Sequence, residues 1–152
     1  MKFEYLYENQ ELIPVVATWL YTEFVENIRS GISLDNVVEK LGKGKKDSLP
    51  ITIVVKQGTT CIGTVSLFEN DLKGLSLKPW LAGLVVDKQY RGAGIGKKLI
   101  TEISNIGRTM GFTTLYLRTE HAAEYYKNQG WILIDKRIDE FGIETDVFSK
   151  KL

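Results

Sequence analysis

Between Val86 and Leu99 the chain runs from a β-rich stretch into a helical one through Arg91-Gly92-Ala93-Gly94-Ile95-Gly96-Lys97-Lys98. Residues of these types at this junction suit an anion. The first N–H groups of a helix lack internal partners, and the helix dipole puts partial positive charge there. Glycine lets the backbone approach the anion closely, and Arg91, Lys97 and Lys98 add full charges. Three anion-binding patterns compete. A dinucleotide fingerprint starting at Gly92 and Gly94 needs glycine at 97, which is Lys97. A P-loop needs glycine at 91 and Ser or Thr at 98, which are Arg91 and Lys98. The pattern that survives is R-x-x-G-x-G, met by Arg91, Gly94 and Gly96. A turn whose glycines serve only a tight connection remains the alternative.

The elements that must hold this turn follow from periodicity. Phe3, Tyr5 and Tyr7 alternate, which predicts a first strand over Lys2 to Tyr7. Pro14 suits the first position of a helix, with Val16, Trp19, Leu20 and Phe24 on one face. Ser33 is placed to cap a second helix reaching Leu41. Ile51–Val55 and Cys61–Phe68 read as a hairpin, and Trp80–Val86 as the strand entering the glycine turn. Ile95, Leu99, Ile103, Ile106 and Met110 recur at helical spacing, with Gly111 as the stop. A strand at Thr114–Leu117 and a helix at His121–Gln129 follow. Trp131–Ile138 and Ile143–Ser149 then read as a closing hairpin. Hairpins mixed with βα units predict an α+β domain, its sheet covered by helices.

A second constellation lies on the helix at 121–129. Ala122 is followed by Tyr126 four residues later, and then by Gly130-Trp131. With the glycine turn, and with Pro79-Trp80-Leu81-Ala82-Gly83-Leu84-Val85-Val86 before it, this pattern resembles the GNAT family of N-acetyltransferases. The whole order of elements resembles that family too. The resemblance implies a central mixed sheet of about seven strands flanked by four helices, in a single domain over 1–152. It implies acetyl-coenzyme A as cosubstrate and a small-molecule or peptide amine as acceptor, joined by direct attack in a ternary complex. A non-catalytic acyl-coenzyme A sensor on the same fold is the rival reading.

The resemblance also assigns roles. Backbone groups of Leu84, Val85 and Val86 would pair with the pantetheine arm, and a bulge near Gly83 and Leu84 would aim an N–H at the thioester oxygen. The backbone from Gly92 through Ala93, Gly94, Ile95 and Gly96 to Lys97 would hold the pyrophosphate, with Arg91 beside it. Tyr126 would be the general acid that protonates the leaving sulfur, since a neutral phenol donates at pH 7. Tyr125 would pack on the sheet; a rotated helix would exchange the two. Many relatives carry asparagine where this chain has Thr119, whose hydroxyl replaces part of that contact; Asn128 is a separate cofactor candidate. The general base stays open among Glu69, Asp71, Glu120, His121 and water. Trp19, Tyr21 and Glu23 are candidates for the acceptor side, and relatives' habits allow a homodimer.

Composition bounds the rest. The chain has 152 residues, 43% hydrophobic and 26% charged, which fits one globular core. A net charge of +1 removes the usual electrostatic basis for nucleic-acid binding. Cys61 is the sole cysteine, so no internal disulfide forms. No apolar run nears the roughly 20 residues of a membrane span, and the N-terminus lacks a signal pattern. The expectation is a cytoplasmic protein with no membrane partner and no metal site.

Overall fold

The run richest in β-branched residues, Ile51 to Val55, is buried throughout in the computed structural model, which describes residues 1–152. In chain order the elements are β1 (Lys2–Tyr5), α1 (Ile13–Phe24), α2 (Leu34–Gly42), β2 (Ile51–Gln57) and β3 (Thr60–Phe68). They continue as β4 (Trp80–Val86), α3 (Ile95–Thr109), β5 (Thr114–Thr119), α4 (Ala123–Asn128), β6 (Ile132–Ile138) and β7 (Glu144–Lys151). The protein is thus the mixed α+β architecture expected, seven strands in one sheet with four α-helices. Ser33 caps α2 as its position predicts: its side chain accepts from Asn36 N, and Asn36 Oδ1 accepts from Ser33 N. The first strand ends two residues sooner than expected. Leu6 turns inward and is buried, and Asn9 Nδ2 donates to Tyr5 O at 2.9 Å.

The sheet order is β1-β2-β3-β4-β5-β7-β6. β1 to β4 pair antiparallel, as do β5 with β7 and β7 with β6. The junction of the two halves is parallel and consists of one register pair, Trp80 with Tyr116. Their rings meet at 6.0 Å, and Trp80 Nε1 donates to Leu77 O at 2.6 Å, so this end is clamped. Beyond it β4 and β5 run unpaired with one another. β4 also carries the expected bulge: Thr64 faces Val85 and Ser66 faces Ala82, leaving Val65 opposite both Gly83 and Leu84. Gly83 takes φ +63°, which a side chain resists, and α1 crosses directly over it with Leu20 Cδ2.

Both faces of β2 are covered, which explains why its residues from Ile51 to Val55 are all buried and, apart from Thr52, all apolar. Ile51, Ile53 and Val55 point to the face packed by Leu99 and Ile103 of α3. Val54 points to the opposite face, under Val16, Ala17 and Leu41 of α1 and α2. No helix is long and apolar enough to cross a membrane.

α3 approaches the sheet most closely at Gly63 of β3. A Cβ there would lie 3.0 Å from Leu99 Cδ1, 3.1 Å from Val55 Cγ1 and 3.2 Å from Val85 O. Gly63→Ala should therefore destabilise the fold by about 1–3 kcal/mol through overpacking. Thermal unfolding should show it as a fall in Tm of roughly 2–4 °C per kcal/mol; an unchanged or raised Tm would show that α3 has room to retreat.

Candidate active site

The unpaired edge of β4 leads into a hollow of about 350 Å³, lined by Val86, Tyr90, the glycine turn and Tyr125. Gly94 is the N-cap of α3 at φ +79° and offers no side chain to cap it. Lys98 N is the first α3 amide to bond back, to Gly94 O at 3.2 Å. The amides of Ile95, Gly96 and Lys97 before it are the helix's unpartnered donors. A Cβ on Gly92 or Gly94 would meet nothing within 4 Å, so the turn borders open space. Arg91 does not reach freely into that space. Its Nε donates to Val86 O at 2.9 Å, and its Nη2 lies 3.2 Å from Glu23 Oε1 on α1. Arg91 therefore fixes the end of β4 to the turn, besides contributing charge at its rim.

The two adjacent tyrosines divide differently from the sequence expectation. Tyr126 is the one packed on the sheet, 9% exposed, against Trp131 at 5.9 Å and Phe148 at 6.4 Å. Tyr125, 40% exposed, lines the glycine hollow, its hydroxyl 3.8 Å from where a Gly96 Cβ would sit. The helix that carries them is short, Ala123–Asn128, so its phase is set by Trp131 and the sheet and not by its own periodicity. The fully buried polar side-chain atoms without a hydrogen-bond partner are Arg118 Nε and Trp131 Nε1. The Tyr126 oxygen is not among them and keeps an accessible face. Burial, and then Tyr125, push the Tyr126 phenol up to about 12, so it is neutral at pH 7.

A larger cavity, about 650 Å³, opens on the other side of the β4 bulge. Ala82 and Gly83 form part of its wall, with Leu20 and Phe24 of α1, Phe68 of β3 and Phe141 of the β6–β7 turn. Trp19, Tyr21 and Glu23, expected on this side, do not line it; their neighbours Leu20 and Phe24 do. Its polar floor includes Thr52, whose hydroxyl meets Ser66 Oγ at 2.7 Å. Asp71 faces the cavity. Desolvation raises its carboxyl to about 6, against the pull of Arg118, Lys40 and Arg29.

Behind this wall lies an ion network that sequence reasoning missed. Arg29, the pair Arg118 and Glu120, and Asp139 meet from three separate stretches of chain. Arg118 Nη2 donates to Asp139 Oδ2 at 2.7 Å, and Arg29 Nη2 donates to Glu120 Oε1 at 3.1 Å. Thr145 Oγ1 donates to Glu120 Oε2 at 2.8 Å. Burial pushes Asp139 up, but amides Ile143 N and Phe141 N and the Arg118 guanidinium outweigh it and hold the carboxyl below its usual range. The available signal was Arg118 itself, a charge between Leu117 and Thr119 in a strand with buried alternate positions.

The remaining sequence candidates fall apart in space or function. Glu69 is exposed and 3.6 Å from Lys78. His121 is exposed at the start of the α4 turn. Glu120 is committed to the network. Thr119 Oγ1 accepts from Ala122 N at 3.0 Å, so its hydroxyl shapes the entry to α4. Asn128 is exposed at the far end of that helix.

The acetyltransferase (GNAT) family pattern matches residues 16–131, most of the chain, including the glycine turn, Asp71 and both tyrosines. The chain belongs to that family. The GNAT fold is also found in solved structures that align with nearly the whole chain. An aminoglycoside 6'-N-acetyltransferase complexed with coenzyme A superposes with a TM-score of 0.77 at 17% identity, over 99% of this chain and 97% of that one. The ribosomal-protein-alanine N-acetyltransferase of Brucella melitensis gives 0.75 at 21%, over 100% of both chains. A putative N-acetyltransferase from Lactobacillus plantarum gives 0.68 at 24%, over 99% and 97%. Among curated proteins no sequence matches.

Asp71 makes stability depend on pH. Its folded pKa of about 6 lies above the ordinary 3.8, so the folded state favours the protonated acid. Its contribution is complete below pH about 4 and is lost as pH rises through about 6. Asp71→Asn, which keeps the uncharged form, should match the wild-type Tm near pH 4 and exceed it above pH 6.5. Parallel Tm–pH curves for the two proteins would show that the Asp71 carboxyl is not desolvated.

Proposed function

We propose that this GNAT-family chain transfers an acetyl group from acetyl-coenzyme A to an amine by direct attack in a ternary complex. The observation that carries the reading is the parting of β4 from β5. One end of the unpaired β4 edge meets the anion-binding turn; its bulge meets the cavity that holds Asp71. The residues present fit the cofactor. Free amides at Ile95 to Lys97 and open space above Gly92 and Gly94 suit a pyrophosphate, with Lys97 beside it. Backbone groups of Leu84, Val85 and Val86 suit the pantetheine, which would bind as an added strand. Two GNAT structures of similar fold were crystallised with coenzyme A or acetyl-coenzyme A.

When bound, acetyl-coenzyme A supplies the thioester carbonyl that the amine nitrogen attacks, with loss of the thiolate. The chain's part is to orient the reactants and move protons. Asp71, with a pKa of about 6, is ionised at pH 7 and takes the ammonium proton. The amide of the β4 bulge near Leu84 stabilises the developing oxyanion. Tyr126 serves the departing sulfur; Tyr125 lies beside Gly96, at the phosphate end of the cofactor track. A phenol at about 12 does not readily surrender its proton to a thiolate whose acid has pKa about 8.5. Its contribution is chiefly a hydrogen bond to the growing charge. A non-catalytic sensor would need the glycine turn but has no use for a desolvated carboxyl in a second cavity.

Two measurements test this. Gly96 is helical, and a Cβ there makes only ordinary contacts, 3.8 Å to the Tyr125 hydroxyl and 4.0 Å to Val86 Cγ2. Gly96→Val should fold and yet weaken acetyl-coenzyme A about tenfold or more, by intruding on the cradle. Wild-type affinity in calorimetry would place the pyrophosphate elsewhere. Tyr126→Phe keeps the ring and should lower kcat by ~10², the loss of one hydrogen bond to charge that develops on the sulfur, with little change in cofactor affinity. Tyr125→Phe should instead act on cofactor binding; if it alone abolishes turnover, the donor is Tyr125.

A further inference from the structure

The acceptor cavity presents cations to its interior and keeps most of their counter-charges out of it. Arg29, Lys40, Lys73 and Arg118 line it, against Asp71 and Glu140. Glu140 is taken by Lys73 at 2.7 Å. Glu120 and Asp139, which pair with the two arginines, stand behind them and do not reach the cavity surface. Lys40 pairs with no carboxylate; its ammonium lies over the Phe68 ring at 4.2 Å. Arg29 and Arg118 are matched one for one by Glu120 and Asp139, and their Nη1 atoms donate to Phe24 O and Asp71 O. The cavity surface therefore offers one free carboxyl, Asp71, and one unpaired ammonium, Lys40. Apolar and aromatic side chains, Phe24, Phe68 and Phe141 among them, form the rest.

This distribution discriminates between classes of amine. A polyamine or other polycation would set each additional ammonium against Arg29, Lys40 or Arg118, with no carboxylate to receive it. An amine without a second polar group would leave the cations facing only the ligand's apolar body once water is displaced, which is costly. An amine that also carries a carboxylate matches both charges. We infer that the acceptor is a small amino acid-like molecule, an amine and a carboxylate on an apolar body, with its amine at Asp71 and its carboxylate at Lys40. The assignment rests on the acetyl-transfer reading and adds its substrate class. Arg29 and Arg118 are already engaged by protein acceptors, and Lys40 supplies the charge that no protein group neutralises.

Matched pairs test the inference, with coenzyme A thiol release as the readout. The full chain is assayed with acetyl-coenzyme A and L-phenylalanine or 2-phenylethylamine, L-leucine or 3-methylbutylamine, and spermidine. The carboxylated member of at least one pair should exceed its partner in kcat/KM by about tenfold or more, since a site built to bond a polar group rejects the analogue lacking it. Spermidine should be the poorest acceptor. Lys40→Gln, a change at an exposed side chain on α2, should shrink the ratio between the pair members mainly through KM of the carboxylated one. Equal or better turnover of the decarboxylated amines or of spermidine overturns the assignment, and so does a ratio unchanged in Lys40→Gln. If no amine is turned over, calorimetry decides. Acetyl-coenzyme A that binds while neither amino acid adds heat at millimolar concentration overturns the acceptor class alone. A chain that gives no heat with acetyl-coenzyme A loses the acetyl-transfer reading itself.

Discussion

The structure turns on a sheet that is pinned at one end and open at the other. β4 and β5 share a single register pair at Trp80 and Tyr116, held by ring contact and by the Trp80 indole on Leu77 O. Past that clamp, the facing edges of the two strands carry backbone donors and acceptors with no strand between them. Buried unpaired backbone groups are costly, so such an opening persists where water or a ligand can satisfy them. α3 follows from this geometry. As the crossover between parallel neighbours it must start where β4 ends, and its free amides therefore open at the mouth of the gap. The open β4 edge, the free amides at the start of α3 and the larger cavity beside the bulge are three consequences of one missing strand pairing.

The ion network holds the other wall. Arg29 follows α1, Arg118 and Glu120 lie at the end of β5, and Asp139 begins the β6–β7 turn. Asp139 is 1% exposed in its side chain and also receives the Phe141 and Ile143 amides. One carboxylate thus fixes the turn that presents Phe141 to the cavity. Buried ion pairs add little net stability beside apolar packing of equal volume, because desolvation offsets attraction. Their effect here is geometric. They hold segments distant in sequence at fixed separation, and they fix two guanidiniums, each matched by a carboxylate, in the cavity wall.

Legibility followed the range of the forces involved. Helix and strand positions were readable because each is written in side-chain periodicity and caps: Ser33 before α2, Gly94 and Gly111 around α3, alternate burial in β5. The glycine turn was readable for the same reason, since amides at a helix start need only adjacent residues. The end of β1 was misjudged because Leu6 leaves the strand for a core that α1 and α2 complete. The tyrosine phase was misjudged because a six-residue helix has too few turns to state its own buried face. Trp131 and Phe148, brought from β6's approach and β7, chose Tyr126.

The sequence by itself determined the family, the order of elements, the glycine turn at the start of α3 and the α4 tyrosine pair, all carried within short windows of chain. Only the tertiary structure decided which tyrosine lies on the sheet and that Asp71, of four acidic or basic candidates, faces the larger cavity with its carboxyl desolvated. It also decided that Arg29 and Arg118 share a wall with it. Desolvation and charge pairing depend on what stands within a few ångströms, whatever its position in the chain. Arg118 and Asp139 are 21 residues apart and Arg29 and Glu120 are 91, so no window of sequence contains their meeting.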